Sequence, residues 1–92
     1  MNRVPVALAD ALEALLGGRL TPEGFRRSYP IQTATIEIGP LLANIEHFLS
    51  DGDIRARDPR YKTMQEAAIE RMITALRAGD VDAARGISLL RS

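Results

Sequence analysis

The sequence predicts an all-α protein, an antiparallel four- to five-helix bundle forming a single domain over residues 1–92. Apolar residues recur at intervals of three and four, the spacing that places them on one face of a helix. Glycine or proline stands where most of these apolar stripes begin or end. The chain is 46% hydrophobic but only 4% aromatic, so its core is expected to be aliphatic.

The first two helices are separated by a glycine and a capping residue. An apolar stripe over residues 4–16 predicts the first helix, and Gly18 is expected to end it because glycine accepts the left-handed backbone found after a helix. Thr21 can cap the next helix, and Pro22 suits its first position. This second helix is short, since Pro30 stops it.

A third apolar stripe runs over residues 31–49 and contains a proline. Either Pro40 opens a helix over about 40–50, or a longer helix from about residue 32 is kinked there. The β-branched residues of 31–38 also allow a strand in that segment.

The second half of the chain is expected to hold a loop and two helices. Residues 54–62 are interpreted as a loop. Thr63 and Glu66 have the spacing of a capping box, which predicts that the following helix starts there and ends before Gly79. A last helix is predicted over about 81–91.

The two glycine-containing corners share a layout, seen in "ALLGGRLTPE" and "ALRAGDVDAA". In each, a glycine ends a helix, an aliphatic residue enters the core and a polar residue caps the next helix. The matching pairs are Gly18 and Gly79, Leu20 and Val81, and Thr21 and Asp82.

The composition argues against several classes of protein. The chain has no cysteine, which excludes disulfides and thiolate metal sites. No apolar run approaches the roughly 20 residues of a membrane-spanning helix, and the start does not resemble a signal peptide, so a cytoplasmic protein without membrane contact is expected. His47 is the only histidine and has no convincing partners for a metal. We expect no cofactor, metal or catalytic residue, although a compact all-α enzyme with an Arg- and Glu-lined pocket stays a third hypothesis.

Charge is balanced overall but segregated along the chain. Twelve basic and twelve acidic residues cancel, which argues against a nucleic-acid partner. Between residues 28 and 54 there is no Lys or Arg, and basic residues follow directly afterwards. Either the two blocks are solvated surface, or one of them is a docking surface.

One stretch of the sequence is similar to a known family. "LLGGRLTPEGFRRSYP" resembles the opening of the colicin D immunity-like proteins, small bacterial helical bundles that include immunity proteins of contact-dependent growth inhibition systems. The later stretch "HFLSDGDIRARDPRYKTMQEAAIERMITAL" is similar to the second half of that family, so the likeness spans about residues 15–78. The matching positions of the opening are Leu15, Gly18, Leu20, Thr21, Phe25 and Tyr29.

The resemblance implies an immunity protein with no enzymatic activity of its own. Such a protein covers the basic active site of one cognate toxin, here expected to be a tRNA-cleaving RNase domain bound one-to-one, with an acidic surface. We expect the residues that contact the toxin to be Glu37, Glu46, His47, Asp51, Asp53 and Asp58.

The alternative is a small helical adaptor or regulator that binds a protein or RNA through the basic loop. Arginine beside an aromatic residue can combine phosphate contacts with base stacking. The residues of that loop are Arg55, Arg57, Arg60, Tyr61 and Lys62.

Overall fold

The computed structural model describes residues 4–30, 35, 36 and 38–87. Six helices and no strand occur in these residues, which confirms the all-α prediction. Four of the six have seven residues or more. The helices are α1 Val4–Leu16, α2 Pro22–Ser28, α3 Gly39–Ser50, α4 Gly52–Arg57, α5 Pro59–Arg77 and α6 Val81–Arg85.

The longest helix, α5, organises the fold and packs against α1, α4 and α6. Arg77, in its last turn, contacts Asp10 at 3.1 Å and also pairs with Glu13 on α1. The end of α1 lies beside residues 70–74, which precede Arg77 on α5. The two helices therefore run antiparallel.

One aliphatic core lies between the helices, as the low aromatic content predicts. Each long helix turns its apolar stripe inward, and burying those side chains is the main favourable contribution to folding. Asn44 on α3 donates a hydrogen bond to the carbonyl of Ile87 at 2.5 Å, which ties the chain after α6 to the bundle. The fully buried large apolar side chains in the described residues with zero exposure are Leu8, Leu12, Leu41, Ile45, Ile69, Met72 and Leu76.

The corner between α1 and α2 has the predicted chemistry. Gly18 has φ of 73°, in the left-handed region that glycine accepts without strain. Thr21 caps α2, since its hydroxyl accepts a hydrogen bond from the backbone N–H of Gly24 at 3.0 Å. Phe25 is buried, and its ring centre lies 5.3 Å from that of Tyr29. The positions that carry the family resemblance thus have structural roles in this corner.

The predicted loop over 54–62 is wrong, because the chain forms the end of α4 and the start of α5 there. The cap of α5 is Asp58, whose carboxylate accepts hydrogen bonds from the backbone N–H groups of Arg60 and Tyr61, both at 3.1 Å. The predicted capping box is wrong as well: Thr63 lies within α5 and donates to the carbonyl of Pro59 at 3.0 Å. An Asp-Pro pair is itself a strong helix-start signal.

The last corner also differs in its cap. Gly79 has φ of 77°, as the comparison with Gly18 predicts. The side chain that caps α6 is Asp80, which accepts from the N–H of Ala83 at 3.0 Å, and not Asp82. The helix predicted over about 81–91 is shorter in the structure: α6 ends at Arg85, Gly86 and Ile87 are not helical, and residues 88–91 lie outside the described residues.

Helix α3 begins at Gly39, with Pro40 in its first turn, as one of the two predictions required. The alternative of one helix from residue 32 is wrong, because Thr35 and Ile36 are not helical. Thr35 instead forms a turn, its carbonyl accepting from the N–H groups of Ile38 and Gly39 at 3.2 and 2.7 Å. The strand alternative for residues 31–38 is not seen at Thr35, Ile36 and Ile38, and residues 31–34 and 37 lie outside the described residues.

Candidate functional site

The corner where α3, α4 and α5 meet holds a connected set of polar side chains. Asp51 Oδ2 accepts hydrogen bonds from Tyr61 Oη at 2.5 Å and from Gln65 Nε2 at 3.1 Å. Gln65 Nε2 also lies 3.0 Å from Tyr61 Oη, and Gln65 Oε1 accepts from Arg55 Nη1 at 2.6 Å. We call these four residues the corner network. Gln65 has no solvent exposure, so its hydrogen bonds are needed to offset the cost of burying an amide.

Arg55 is held from two sides in this corner. Its guanidinium lies 3.8 Å from the centre of the Phe48 ring, and Nη1 donates to the Phe48 carbonyl. Burial lowers the pKa of Arg55, an effect that the negative charges of Asp51 and Glu66 partly oppose. These contacts use the guanidinium inside the corner, although Arg55 stays partly exposed.

Two aspartates of this corner, Asp53 within α4 and Asp58 just after it, have different surroundings. Asp58 is only partly exposed and caps α5 as described above. Asp53 points to solvent, with 76% of its side chain exposed, and its carboxylate lies 3.8 Å from Arg57 Nη2. An ion pair this long and exposed is worth about 0–1 kcal/mol. Asp53 is therefore the more accessible of the two predicted contact residues.

Glu46 on α3 is joined to Arg26 on α2. Arg26 Nε lies 3.1 and 3.0 Å from the two carboxylate oxygens, and Nη2 lies 2.9 Å from Oε1. The hydrogen bond to Glu46 raises the pKa of Arg26, despite a smaller opposite effect of desolvation. Ser50 donates a further bond to Glu46 at 3.3 Å. Both members of the pair stay partly exposed, at 41% for Arg26 and 36% for Glu46.

This ion pair lies at the edge of a cleft of about 240 Å³ between α2 and α3. Phe25, Leu42 and Leu49 line it with apolar surface, and each of them is at least nine-tenths buried. Tyr29 also lines the cleft, and burial raises the pKa of its phenol, with the charge of Asp10 adding to the effect. The cleft thus combines aromatic and aliphatic walls with a charged edge.

The structure divides the predicted contact residues into two groups. Asp51 and Asp58 stabilise the corner between the helices, whereas Glu46, His47 and Asp53 reach solvent. Glu37 lies outside the described residues.

The residues of the predicted basic loop divide in the same way. Arg55 and Tyr61 belong to the corner network, and Tyr61 is only 7% exposed. Arg57, Arg60 and Lys62 are exposed on the outside of the corner.

Sequence reasoning missed the roles of Arg26 and Gln65. Gln65 follows Tyr61 by four positions on the buried stripe of α5, so a polar residue at a core position was the available signal. Arg26 lies 20 residues from Glu46, and no local spacing connects the two.

In the part of the chain that the structure describes, no three His, Asp or Glu side chains are grouped closely enough to hold a metal ion. Among the same residues, no helix is both long and apolar enough to cross a membrane.

Comparison with known proteins gave no relative: no family model matches the chain, and no curated protein or solved structure matches it.

Proposed function

We propose that this chain is a non-catalytic immunity protein that binds and neutralises a basic bacterial toxin, an RNase domain, in a one-to-one complex. The observation that carries the proposal is that Glu46 and Asp53 keep their carboxylates at the surface, 36% and 76% exposed, although each is also paired with an arginine of the chain. The resemblance of the α1–α2 corner to the colicin D immunity-like proteins supports the choice of partner. A cytoplasmic location follows from such a role.

The corner network supports binding because it fixes the position of its neighbours. Hydrogen bonds among Asp51, Tyr61 and Gln65 connect the end of α3 to the first turns of α5 across α4. A carboxylate mounted on a fixed helix, such as that of Asp53, loses less conformational freedom when it pairs with a partner. Pairing with a lysine or arginine then favours a basic partner and speeds its encounter.

The proposal is tested by capture followed by reconstitution. The tagged chain is incubated with lysate of its own cells at low salt, and a basic protein retained one-to-one is purified alone. That protein should cleave tRNA, and an equimolar amount of the chain should stop the cleavage. A captured protein without nuclease activity, or cleavage that continues in the presence of the chain, would contradict the proposal.

The contribution of Asp53 is tested by charge reversal with a matched control. Asp53→Lys should weaken the complex at least tenfold, since a favourable pair becomes a repulsive one. Asp82→Lys is the control, because Asp82 is 85% exposed and also pairs with a nearby arginine, but lies on α6. If the two reversals change the affinity equally, Asp53 is not a specific contact of the interface.

A second candidate function is favoured by the cations of the same corner. Because Asp51 and Asp58 turn to internal contacts, the outside of the corner presents Arg57, Arg60 and Lys62. This arrangement suits an adaptor that binds an anionic partner, and RNA is the simplest probe. Binding of a fluorescent single-stranded RNA to the chain is measured at several salt concentrations.

In that case, replacing the three cations by Ala should abolish binding or make it less sensitive to salt. The slope of the logarithm of the binding constant against the logarithm of the salt concentration should fall by about 2, because each lost phosphate contact accounts for about 0.7. The matched control replaces three exposed arginines elsewhere, Arg19, Arg27 and Arg71. If both triple variants bind RNA equally, the corner has no special role in binding it.

A further inference from the structure

The edge of the α2–α3 cleft already binds a guanidinium group, that of the chain's own Arg26. Three nitrogen–oxygen distances of 2.9–3.1 Å join Arg26 to Glu46, so the carboxylate is placed to receive a planar cation through both of its oxygens. Glu46 is itself oriented by the hydroxyl of Ser50.

The walls of the cleft suit the rest of a basic side chain. Phe25, Leu42 and Leu49 provide apolar surface of the kind along which the alkyl stems of arginine and lysine pack. Tyr29, which is only partly buried, adds an aromatic wall, and aromatic rings attract cations. A volume of about 240 Å³ has room for one large side chain.

We propose that the α2–α3 cleft is a binding site for an arginine side chain of a basic protein partner, which takes the Glu46 carboxylate in exchange for Arg26. The proposal rests on the proposed function, in which the partner is a basic toxin. Arg26 and Glu46 both line the cleft, so its charges balance until Arg26 moves away; the carboxylate then left beside apolar and aromatic walls complements an arginine side chain.

The exchange is energetically accessible because solvent screens the internal pair. Arg26 and Glu46 are each more than a third exposed, which limits what even a bidentate pair contributes to stability. An arginine delivered by a partner would cover the cleft and exclude water from the carboxylate, and a charge pair shielded in this way is stronger. Arg26 is therefore an internal competitor of the partner.

The site can be tested on the chain alone with benzamidinium, a small aromatic cation that has an arginine-like head group. Its binding is followed by the shifts of backbone amide signals in NMR spectra, with neutral benzamide as the matched probe. We expect benzamidinium to shift the signals of Tyr29, Glu46 and Leu49, and benzamide to leave them nearly unchanged.

Three variants of the chain separate the site from general charge effects. Arg26→Ala should bind benzamidinium about two- to fivefold more tightly, because removing a competing pair worth up to about 1 kcal/mol frees the carboxylate. Glu46→Gln should abolish binding both in the otherwise native chain and when it is combined with Arg26→Ala. Arg27→Ala, which removes an exposed arginine from the same helix, should bind like the unmodified chain.

Equal shifts with benzamide, no gain from Arg26→Ala, or shifts that map away from the cleft would each overturn the proposal. Thermal unfolding of each variant shows whether it is folded, and Glu46→Gln is nearly isosteric with the native residue. The outcome is independent of the toxin experiment, because benzamidinium can bind to a chain that captures no toxin. Conversely, the native chain and Arg26→Ala could bind a toxin equally well. That result would be consistent with the immunity function but would show that the toxin does not contact the cleft.

Discussion

Asp51, at the end of α3, accepts a hydrogen bond of 2.5 Å from the hydroxyl of Tyr61, in the first turn of α5. The short helix α4 lies between the two residues in sequence, so this bond joins residues that are ten positions apart. Gln65 adds a second bond to the same oxygen from one turn further along α5. One carboxylate therefore joins the end of α3 to two successive turns of α5.

The first prediction compares this carboxylate with its exposed neighbour. Asp51→Ala should lower the free energy of unfolding by about 1–3 kcal/mol, because buried donors on Tyr61 and Gln65 lose their acceptor. Asp53→Ala should cost less than about 1 kcal/mol, since its pair with Arg57 is exposed. Urea unfolding of the two variants measures both values. Equal losses would mean that the network does not stabilise the corner.

Helix existence was predictable from the sequence where apolar spacing and terminal residues agreed. The stripe of α1, the glycine at position 18 and the cap at Thr21 are all local signals, and each is confirmed. The error at residues 54–62 came from reading a charged, polar segment as a loop. Arg57 belongs to a helix that is charged on its outer face, and short charged helices lack the periodic apolar signal.

The second prediction tests which residue begins α5. Asp58→Ala should cost about 1 kcal/mol, with a range of roughly 0.5–2, because two backbone N–H groups lose their acceptor. Thr63→Ala should change stability by no more than about 0.5 kcal/mol, and can even raise it, since alanine is the better helix former. Chemical unfolding midpoints would decide between the two caps. A larger loss of stability in Thr63→Ala than in Asp58→Ala would indicate that Thr63 caps the helix.

The candidate site was less predictable than the fold because its contacts join distant parts of the chain. Charge segregation drew attention to residues 37–62 but could not separate Asp51, which is used internally, from Asp53, which is exposed. That distinction depends on Tyr61 and Gln65 turning toward the corner. Likewise, Glu46 gains its partner only when α2 packs beside α3. Packing between helices decides which charges remain at the surface.

The third prediction concerns the glycines that end α1 and α5. Gly18→Ala and Gly79→Ala should each cost about 1–2 kcal/mol, because φ is near 75° and a left-handed backbone strains any residue with a Cβ. The cost is conformational alone, since no atom lies within 4 Å of an added Cβ at either position. Gly52→Ala is the control: it lies in α4, where alanine is favoured and the nearest atom is 3.6 Å away.

Differential scanning calorimetry of the three glycine variants gives the comparison directly. The Gly18 and Gly79 variants should unfold several degrees below the native chain, since about 1 kcal/mol corresponds to roughly 4–8 °C in a domain of this size. The Gly52 variant should unfold at the same temperature or above. Unchanged stability of the first two would contradict the left-handed assignment.

The fourth prediction follows from the half-buried phenol of Tyr29. Burial disfavours the charged phenolate, so the pKa of Tyr29 in the folded chain lies above its ordinary value of 10.0. As pH rises past 10, the unfolded chain loses this proton while the folded chain still holds it. The unfolded state then binds fewer protons, and stability must fall as pH increases. The fall continues until pH passes the folded pKa, and below pH 10 the contribution of Tyr29 is constant.

Tyr29→Phe removes the titrating hydroxyl and keeps the ring against Phe25, so it isolates this effect. Urea midpoints of the native chain and the variant are measured between pH 8 and pH 11. The native midpoint should drop more steeply above pH 10 than that of the variant, while the two curves run parallel at lower pH. Because the phenol borders the α2–α3 cleft, parallel curves over the whole range would mean that water reaches the hydroxyl freely and that the cleft is more open than its lining indicates.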